Sequence, residues 1–329
     1  MTLDPRITSF LADVEMRAAA LPPAGTPAQN RAQLDSMGNE LFQEVAEGIP
    51  EGVVIEDRTL PVGQGGIPVR IYRPDATGSR GLHVLIHGGG WTQGSIYDWI
   101  SDVQSSERAL GAQCIVVTVE YRLAPENPYP AGLDDVVDAV HWIIGHATEL
   151  GGDPAQISIG GVSAGGNLVA AALLRLRDEG APLPDFAIYE AGVFDFDTSY
   201  DSFDRYGVGF GLESTIMPAL TEIYLSDPSQ VSDPYVSPVR AQGFNGLPRS
   251  HFITAEFDPT RDTSDAFADR LEQAGIPVTR YRGIGHVHQS PVMTKVLPIA
   301  REWRAEVISA LRGFHMKDGF PIEGDSDEL

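Results

Sequence analysis

The sequence predicts an α/β fold, with a mostly parallel central sheet of about eight strands flanked by helices and covered by a helical cap. Two observations carry this prediction. Short apolar segments typical of buried strands alternate along the chain with longer segments whose apolar residues have helical spacing. Such alternation is typical of parallel sheets with helices on both faces. The length of 329 residues suits one large domain with additions better than two separate domains.

The first part of the chain is predicted to form two helices and then five strands. Apolar spacing predicts helices over 3–20 and 28–47, separated by the breaker LPPAGTP. Two alternating segments on either side of GQGG predict an antiparallel pair of edge strands at 53–60 and 67–72. Buried strands are predicted at 82–87, 114–121 and 157–161, with helices at 99–110, 133–150 and 167–176.

The second part contains a long segment that breaks the alternation. Strands are predicted at 186–193, 251–257 and 277–281, with helices at 261–273 and, distorted by Pro298, at 292–311. The intervening residues 195–248 hold acids, aromatics and one helix near 212–225, as expected of an inserted lid or wall. We therefore divide the chain into a cap segment (1–50), a core in two parts (51–194 and 236–316), a cap insertion (195–235) and an acidic tail (317–329) predicted to be disordered.

Composition and charge exclude several classes of partner. The formal net charge of −23 disfavours binding to nucleic acid or to an anionic membrane surface. The single cysteine, Cys114, permits no intramolecular disulfide, and the N-terminal residues lack the pattern of a secretory signal. No apolar segment reaches the roughly 18 residues of a membrane-spanning helix. We therefore expect a cytoplasmic protein.

The segment ISIGGVSAGGNLVAAA places a serine between a predicted strand and a predicted helix. Its residues Gly161-Val162-Ser163-Ala164-Gly165 match G-x-S-x-G in the strand–turn–helix context that gives this motif its meaning. A sharp turn strains the serine backbone, and side chains two residues before and after it would collide, so glycine is needed at both places. We interpret Ser163 as an exposed nucleophile; an ordinary glycine-rich turn is the alternative.

A glycine run offers a site for the oxyanion that attack by a serine creates. His87-Gly88-Gly89-Gly90-Trp91 directly follows the predicted strand LHVLIH. Glycines allow backbone N–H groups to turn outward, and two of these N–H groups, with that of Ala164, can hold an oxyanion. The combination of HGGG with G-x-S-x-G is more specific than either motif alone.

The general base and its orienting acid are sought in loops that follow strands, because open α/β sheets carry their sites there. Of eight histidines, His286 and His288 lie in RGIGHVHQS, after the last predicted strand. We favour His286 as the base and expect His288 to line the site or to be solvated. Asp258, after the strand HFITAEF, is favoured as the acid; Glu256 and Asp262 are the alternatives.

These motifs make the chain resemble the bacterial hormone-sensitive-lipase-like carboxylesterases of the α/β-hydrolase fold. The resemblance covers about residues 82–288 and rests on HGGGWTQGS, YRLAPENPYPAGLDD, GGVSAGGNLVAA, SDPYVSPV, DPTRDTSDAFADRLEQAG and the GxxH of 283–286. It implies a catalytic triad of Ser163, Asp258 and His286, with oxyanion donors at Gly89, Gly90 and Ala164. It also implies that the N-terminal helices and residues 195–233 cap an acyl pocket, and it is compatible with a homodimer formed through the C-terminal strand and helix.

Three departures from the family pattern accompany this resemblance. Val162 precedes the nucleophile where many members carry an acid, DPTRDTS replaces the usual DPLRDEG, and HVH replaces HGF. These changes leave the implied triad intact. The residues expected to line the substrate pocket are Trp91, Val162, Phe194, Tyr206 and His288.

We expect a serine hydrolase that cleaves carboxylic esters of small to medium apolar substrates through an acyl-enzyme. This chemistry requires no metal and no organic cofactor. A lactone hydrolase would use the same residues, and a non-catalytic small-ligand binder on the same scaffold is an alternative of a different class. Activity is expected to fall below about pH 6, where an imidazole of ordinary pKa becomes protonated.

Overall fold

The structure, a computed structural model, describes residues 3–75 and 80–316. Its elements are organised around a central eight-stranded sheet. The strands are β1 (Val53–Leu60), β2 (Ile67–Pro74), β3 (Arg80–Ile86), β4 (Ile115–Val119), β5 (Gly152–Val162), β6 (Phe186–Glu190), β7 (Arg249–Phe257) and β8 (Val278–Val287). Their spatial order is β1-β2-β4-β3-β5-β6-β7-β8. The acidic tail 317–329, for which disorder is predicted, lies outside the described residues.

Helices cover both faces of the sheet, as the alternating sequence pattern predicts. They are α1 (Pro5–Ala20), α2 (Pro27–Val45), α3 (Trp99–Ala112), α4 (Ala131–Gly145), α5 (Ala164–Asp178), α6 (Asp201–Tyr206), α7 (Ile216–Tyr224), α8 (Arg261–Gln273) and α9 (Pro298–His315). Apolar residues of α4, α5 and α8 form one core cluster with the strands, and residues of α3 and α9 form a second. None of the described helices has both the length and the apolar character needed to cross a bilayer.

The hairpin of β1 and β2 is antiparallel as predicted, but only β1 is an edge strand. β2 also pairs with β4, and its residues Val69, Ile71 and Tyr72 are fully buried. The expectation of two edge strands is therefore wrong. Both strands carry alternating patterns, and only pairing with a distant strand distinguishes the inner one from the outer one.

The last strand is longer than predicted. The glycines of RGIGHV indicate a loop, yet the chain continues as β8 to Val287. It pairs with β7 as far as Gly283 and, after an irregularity, again at Val287. Phe257 at the end of β7 is the register partner of Val287. Pro298 also differs from expectation, since it begins α9 rather than distorting it. A proline suits the first turn, where its missing N–H would have no helical partner.

The N-terminal helices pack over the carboxyl ends of the last two strands. Ile7 and Phe10 of α1 and Leu41 of α2 share a buried cluster with Phe257 and Val287. Helix α1 begins after Asp4, and α2 begins after Thr26, whose hydroxyl accepts the N–H of Gln29. Residues 5–45 therefore lie above the carboxyl ends of the parallel strands. This is where ligand sites usually occur in open α/β sheets.

Candidate active site

Ser163 occupies a strained turn between β5 and α5. Its φ of 53° and ψ of −118° lie in a region that residues with a side chain rarely adopt. A Cβ at Gly161 would overlap the backbone of Gly165, and one at Gly165 would overlap the carbonyl oxygen of Ile86. The collision expected from the sequence is therefore present at both glycines. The N–H of Ser163 donates to the carbonyl oxygen of Glu190 at 2.9 Å, which ties the turn to β6.

Ser163 lies at one end of a continuous hydrogen-bonded chain. The Nε2 atom of His288 is 2.9 Å from Ser163 Oγ, and its Nδ1 atom is 2.7 Å from Asp258 Oδ2. Asp258 is completely buried. The geometry matches a nucleophile, a base and a group that orients the base.

The structure does not bring His286, the base favoured from the sequence, to Ser163, so that assignment is wrong. His286 belongs to β8, is 1% exposed, and its Nδ1 is 2.8 Å from Ser290 Oγ. Its ring packs edge-on against Trp303 of α9, and burial lowers its pKa to about 4. The strand register explains the difference. Phe257 and Val287 are paired, so the residues that directly follow the two strands, Asp258 and His288, lie side by side, whereas His286 lies within β8.

Two opposing effects act on the pKa of His288. Burial of the imidazole lowers it, whereas the charge of Asp258 and the hydrogen bond to that carboxylate raise it. The net result is a pKa above the ordinary value of 6.5. A histidine with a raised pKa binds a proton from a reacting hydroxyl more strongly than an unperturbed histidine would.

The glycine loop after β3 runs beside Ser163. Gly88, Gly89, Gly90 and Ala164 line the same cavity as Ser163. A Cβ at Gly88 would lie 2.9 Å from the carbonyl oxygen of Val162, so glycine permits the close approach of the loop to the turn. Within residues 3–75 and 80–316, the N–H groups of Gly89 and Gly90 have no protein acceptor. The Ala164 N–H belongs to the first turn of α5, where amides lack helical partners.

Helix α2 braces this glycine loop, a role that sequence reasoning missed. Arg31 donates to the carbonyl oxygen of Thr92 at 2.6 Å and to that of Ala124 at 2.9 Å. Asp35 accepts the N–H of Gly94 at 3.3 Å. Polar residues at i and i+4 of a helix share a face, which is the only sequence signal for this contact. The N-terminal segment thus contacts the loop as well as covering it.

A cavity of about 950 Å³ opens onto Ser163. Much of its apolar lining comes from the N-terminal helices and from the segment around α7. Representative lining residues are Leu11, Leu34, Met37, Leu212, Met217 and Leu220. Both regions predicted to be cap, 1–50 and 195–235, contribute side chains to this lining.

Three of the five predicted pocket residues line the cavity, namely Trp91, Val162 and His288. Phe194 does not: it is fully buried and stacks on Phe267 with ring centroids 4.6 Å apart. Tyr206 is also absent from the lining, because its ring packs edge-on against Phe257. The prediction is wrong for these two aromatics. An aromatic residue after a strand has the same sequence signature in a core as in a pocket.

A second cluster of serine and histidine lies between the sheet and α9. Ser158 Oγ is 2.9 Å from His83 Nδ1 and 2.9 Å from His315 Nε2. Burial lowers the pKa of His83 well below its usual range and that of His315 to about 3. None of the three is among the described residues that line the cavity. We therefore assign this cluster to the packing of α9 against the sheet.

The chain is similar to known hydrolases over most of its length. A family model described as alpha/beta hydrolase fold matches residues 83–291. An arylesterase of Saccharolobus solfataricus is 33% identical over 293 residues, covering 88% of this chain and 92% of that protein. Carboxylesterase NlhH of Mycobacterium tuberculosis is 37% identical over 273 residues, covering 81% of this chain and 84% of that protein.

A solved structure is also similar to this chain over almost its whole length. An ester hydrolase from the metagenome of Lake Arreo, in complex with a bipyridine phosphonate derivative, has a TM-score of 0.87 at 29% identity. The match covers 95% of this chain and 99% of that chain. The similarity therefore includes the N-terminal helices and the segment around α7 as well as the sheet.

We predict that Gly165→Ala destabilises the protein, because its Cβ would overlap the carbonyl oxygens of Ile86 and His87. Overpacking of this kind costs about 1–3 kcal/mol or more of the free energy of unfolding. Chemical denaturation measures the change. Gly145→Ala is the matched control, since a Cβ there meets nothing within 4 Å. Equal stability of the two variants would contradict the packing argument.

Proposed function

This chain belongs to the α/β hydrolase fold family, and we propose that it hydrolyses carboxylic esters through an acyl-enzyme formed on Ser163. The match confirms the resemblance to hormone-sensitive-lipase-like carboxylesterases. The observation that carries the proposal is the hydrogen-bonded chain from Asp258 through His288 to Ser163, which ends in the cavity. Its relatives, an arylesterase and a carboxylesterase, support the same reaction.

His288 acts as the base in the first half of the reaction. Its Nε2 takes the proton of Ser163 as the serine oxygen attacks the carbonyl carbon of the ester. Asp258 accepts the Nδ1–H of the ring, holds its tautomer and stabilises the imidazolium that forms. The N–H groups of Gly89, Gly90 and Ala164 are the donors we propose for the oxyanion. The imidazolium then protonates the leaving alkoxide, and an alcohol departs.

Water completes the cycle. His288, again neutral, takes a proton from a water molecule that attacks the acyl carbonyl, and the carboxylic acid is released as Ser163 recovers its proton. The lining of the cavity, with Leu34, Met37, Met217 and Leu220, favours apolar acyl or alcohol groups. We propose that residues 1–50 and 195–235 act as the cap that holds these groups.

We predict that the protein hydrolyses p-nitrophenyl butyrate and that Ser163→Ala lowers kcat by at least about 10³-fold. A panel of p-nitrophenyl esters of increasing chain length, with a simple lactone beside them, identifies the preferred substrates. Ser158→Ala is the matched control, because it removes a serine hydroxyl that contacts a histidine away from the cavity, and it should leave kcat unchanged. Failure of the wild-type protein to cleave any ester of the panel would overturn the proposal.

We also predict that His288→Ala lowers kcat about as strongly as Ser163→Ala, because both belong to the same hydrogen-bonded chain. His286→Ala should retain most of kcat while lowering the unfolding temperature, because His286 is buried against Trp303. Steady-state kinetics and thermal unfolding of both variants test this. A reversed pattern would restore His286 as the base.

The acid limb of kcat/KM is predicted to have its midpoint above pH 6.5. The neutral form of His288 is the active one, and Asp258 raises the pKa of that imidazole. As the pH falls, activity is therefore lost earlier, at a higher pH, than it would be with a histidine of ordinary pKa. The profile is measured with a neutral ester at constant ionic strength. A midpoint at or below 6.5 would show that burial, not Asp258, dominates the pKa of His288.

A further inference from the structure

Thr260 stands at the N-cap of α8, but its hydroxyl does not cap the helix. An N-cap threonine usually accepts a backbone N–H from the first turn with its side-chain oxygen. Here no such bond forms, and the N–H of Thr263 donates instead to the carbonyl oxygen of Thr260 at 3.1 Å. The Thr260 hydroxyl is directed elsewhere: it donates to Asp258 Oδ1 at 2.8 Å.

A backbone N–H in the first turn of α8 is instead bonded to a side chain of another helix. The N–H of Asp262 donates to the hydroxyl oxygen of Ser202 at 3.3 Å, and that hydroxyl donates to the carbonyl oxygen of Pro259 at 2.6 Å. Ser202 belongs to α6, and both it and Thr260 are fully buried. Since Ser202 serves the helix end, the hydroxyl of Thr260 is free to contact the carboxylate.

We propose that Thr260 is a positioning residue that orients Asp258 and moderates its effect on His288. This inference rests on the proposed function. Asp258 Oδ1 accepts both the N–H and the hydroxyl of Thr260 at 2.8 Å, and Oδ2 is left for His288 at 2.7 Å. Two donors on one oxygen fix the rotation of the carboxylate. They also stabilise negative charge on Oδ1, so less of it is concentrated on the oxygen that faces the imidazole.

The other charged and titratable groups around this pair are engaged elsewhere. Glu256 of β7 accepts the N–H of Gly285, Arg261 pairs with Asp262 and covers the ring of Tyr206, and His286 contacts Ser290. Asp258 is the charge that acts on His288. A change at Thr260 should therefore reach the base through this one carboxylate.

The test compares Thr260→Val, which removes the hydroxyl but keeps the shape and the N–H, with Thr260→Ser, which keeps a hydroxyl. Thr260→Val should lower kcat about tenfold with KM unchanged, as expected for loss of a hydrogen bond to a charged group. It should also move the acid limb of kcat/KM to higher pH by about half a unit, because more negative charge faces the imidazole. Thr260→Ser should restore both values.

Thr263→Val is the matched control. Thr263 is also fully buried, and its hydroxyl donates to the carbonyl oxygen of Thr260 at 2.7 Å without contacting Asp258. This variant should change stability but not the acid limb. The inference is overturned if Thr260→Val has the kcat and pH profile of the wild type, or if its kcat falls with an unmoved acid limb and no rescue by serine.

A second measurement separates this inference from the proposed function. Titration of the His288 imidazole by nuclear magnetic resonance, in the wild type and in Thr260→Val, needs no substrate. A higher midpoint in the variant supports the role of Thr260 even if no ester of the panel is cleaved. An identical midpoint overturns it, even if ester hydrolysis by Ser163 is established.

Discussion

The backbone of Ser163 is the constraint on which the rest of the site depends. A positive φ at a residue with a side chain costs free energy, of order 1–3 kcal/mol, and persists only where the surroundings impose it. Here Gly161 and Gly165 allow the chain segments on either side of the serine to touch, and the serine N–H is bonded to Glu190 at the end of β6. Ser163 is therefore held in place by the sheet.

Side chains of α3 and α9 in turn hold Glu190 in place. Its carboxylate pairs with Arg108 of α3 and accepts the indole N–H of Trp303 of α9 at 3.0 Å. The carboxylate and the guanidinium are each about 5% exposed. A buried pair of this kind is costly to break, because either partner alone would be an unpaired buried charge. The network thereby couples α3 and α9 to the strand that anchors Ser163.

The sheet also brings Asp258 and His288 together. β7 and β8 are adjacent and parallel, and the register pairs their last residues, Phe257 and Val287. Neighbouring strands are about 4.8 Å apart, so the first residues beyond them, Asp258 and His288, meet within hydrogen-bond distance. Helices distant in sequence then close the space above, and α2 contacts the glycine loop through Arg31 and Asp35.

The sequence by itself determined the features that arise from local chemistry. The fold class followed from apolar periodicity, the strained turn at Ser163 from the glycines around it, and the place of Asp258 from the buried strand that precedes it. Only the tertiary structure placed His288 rather than His286 beside Ser163, because β8 continues past its glycines to Val287, which pairs with Phe257 of β7. It alone separated Phe194, which is fully buried, and Tyr206, which packs against Phe257, from Trp91, which lines the cavity. Strand register and burial depend on contacts between residues far apart in the chain, and local patterns do not encode such contacts.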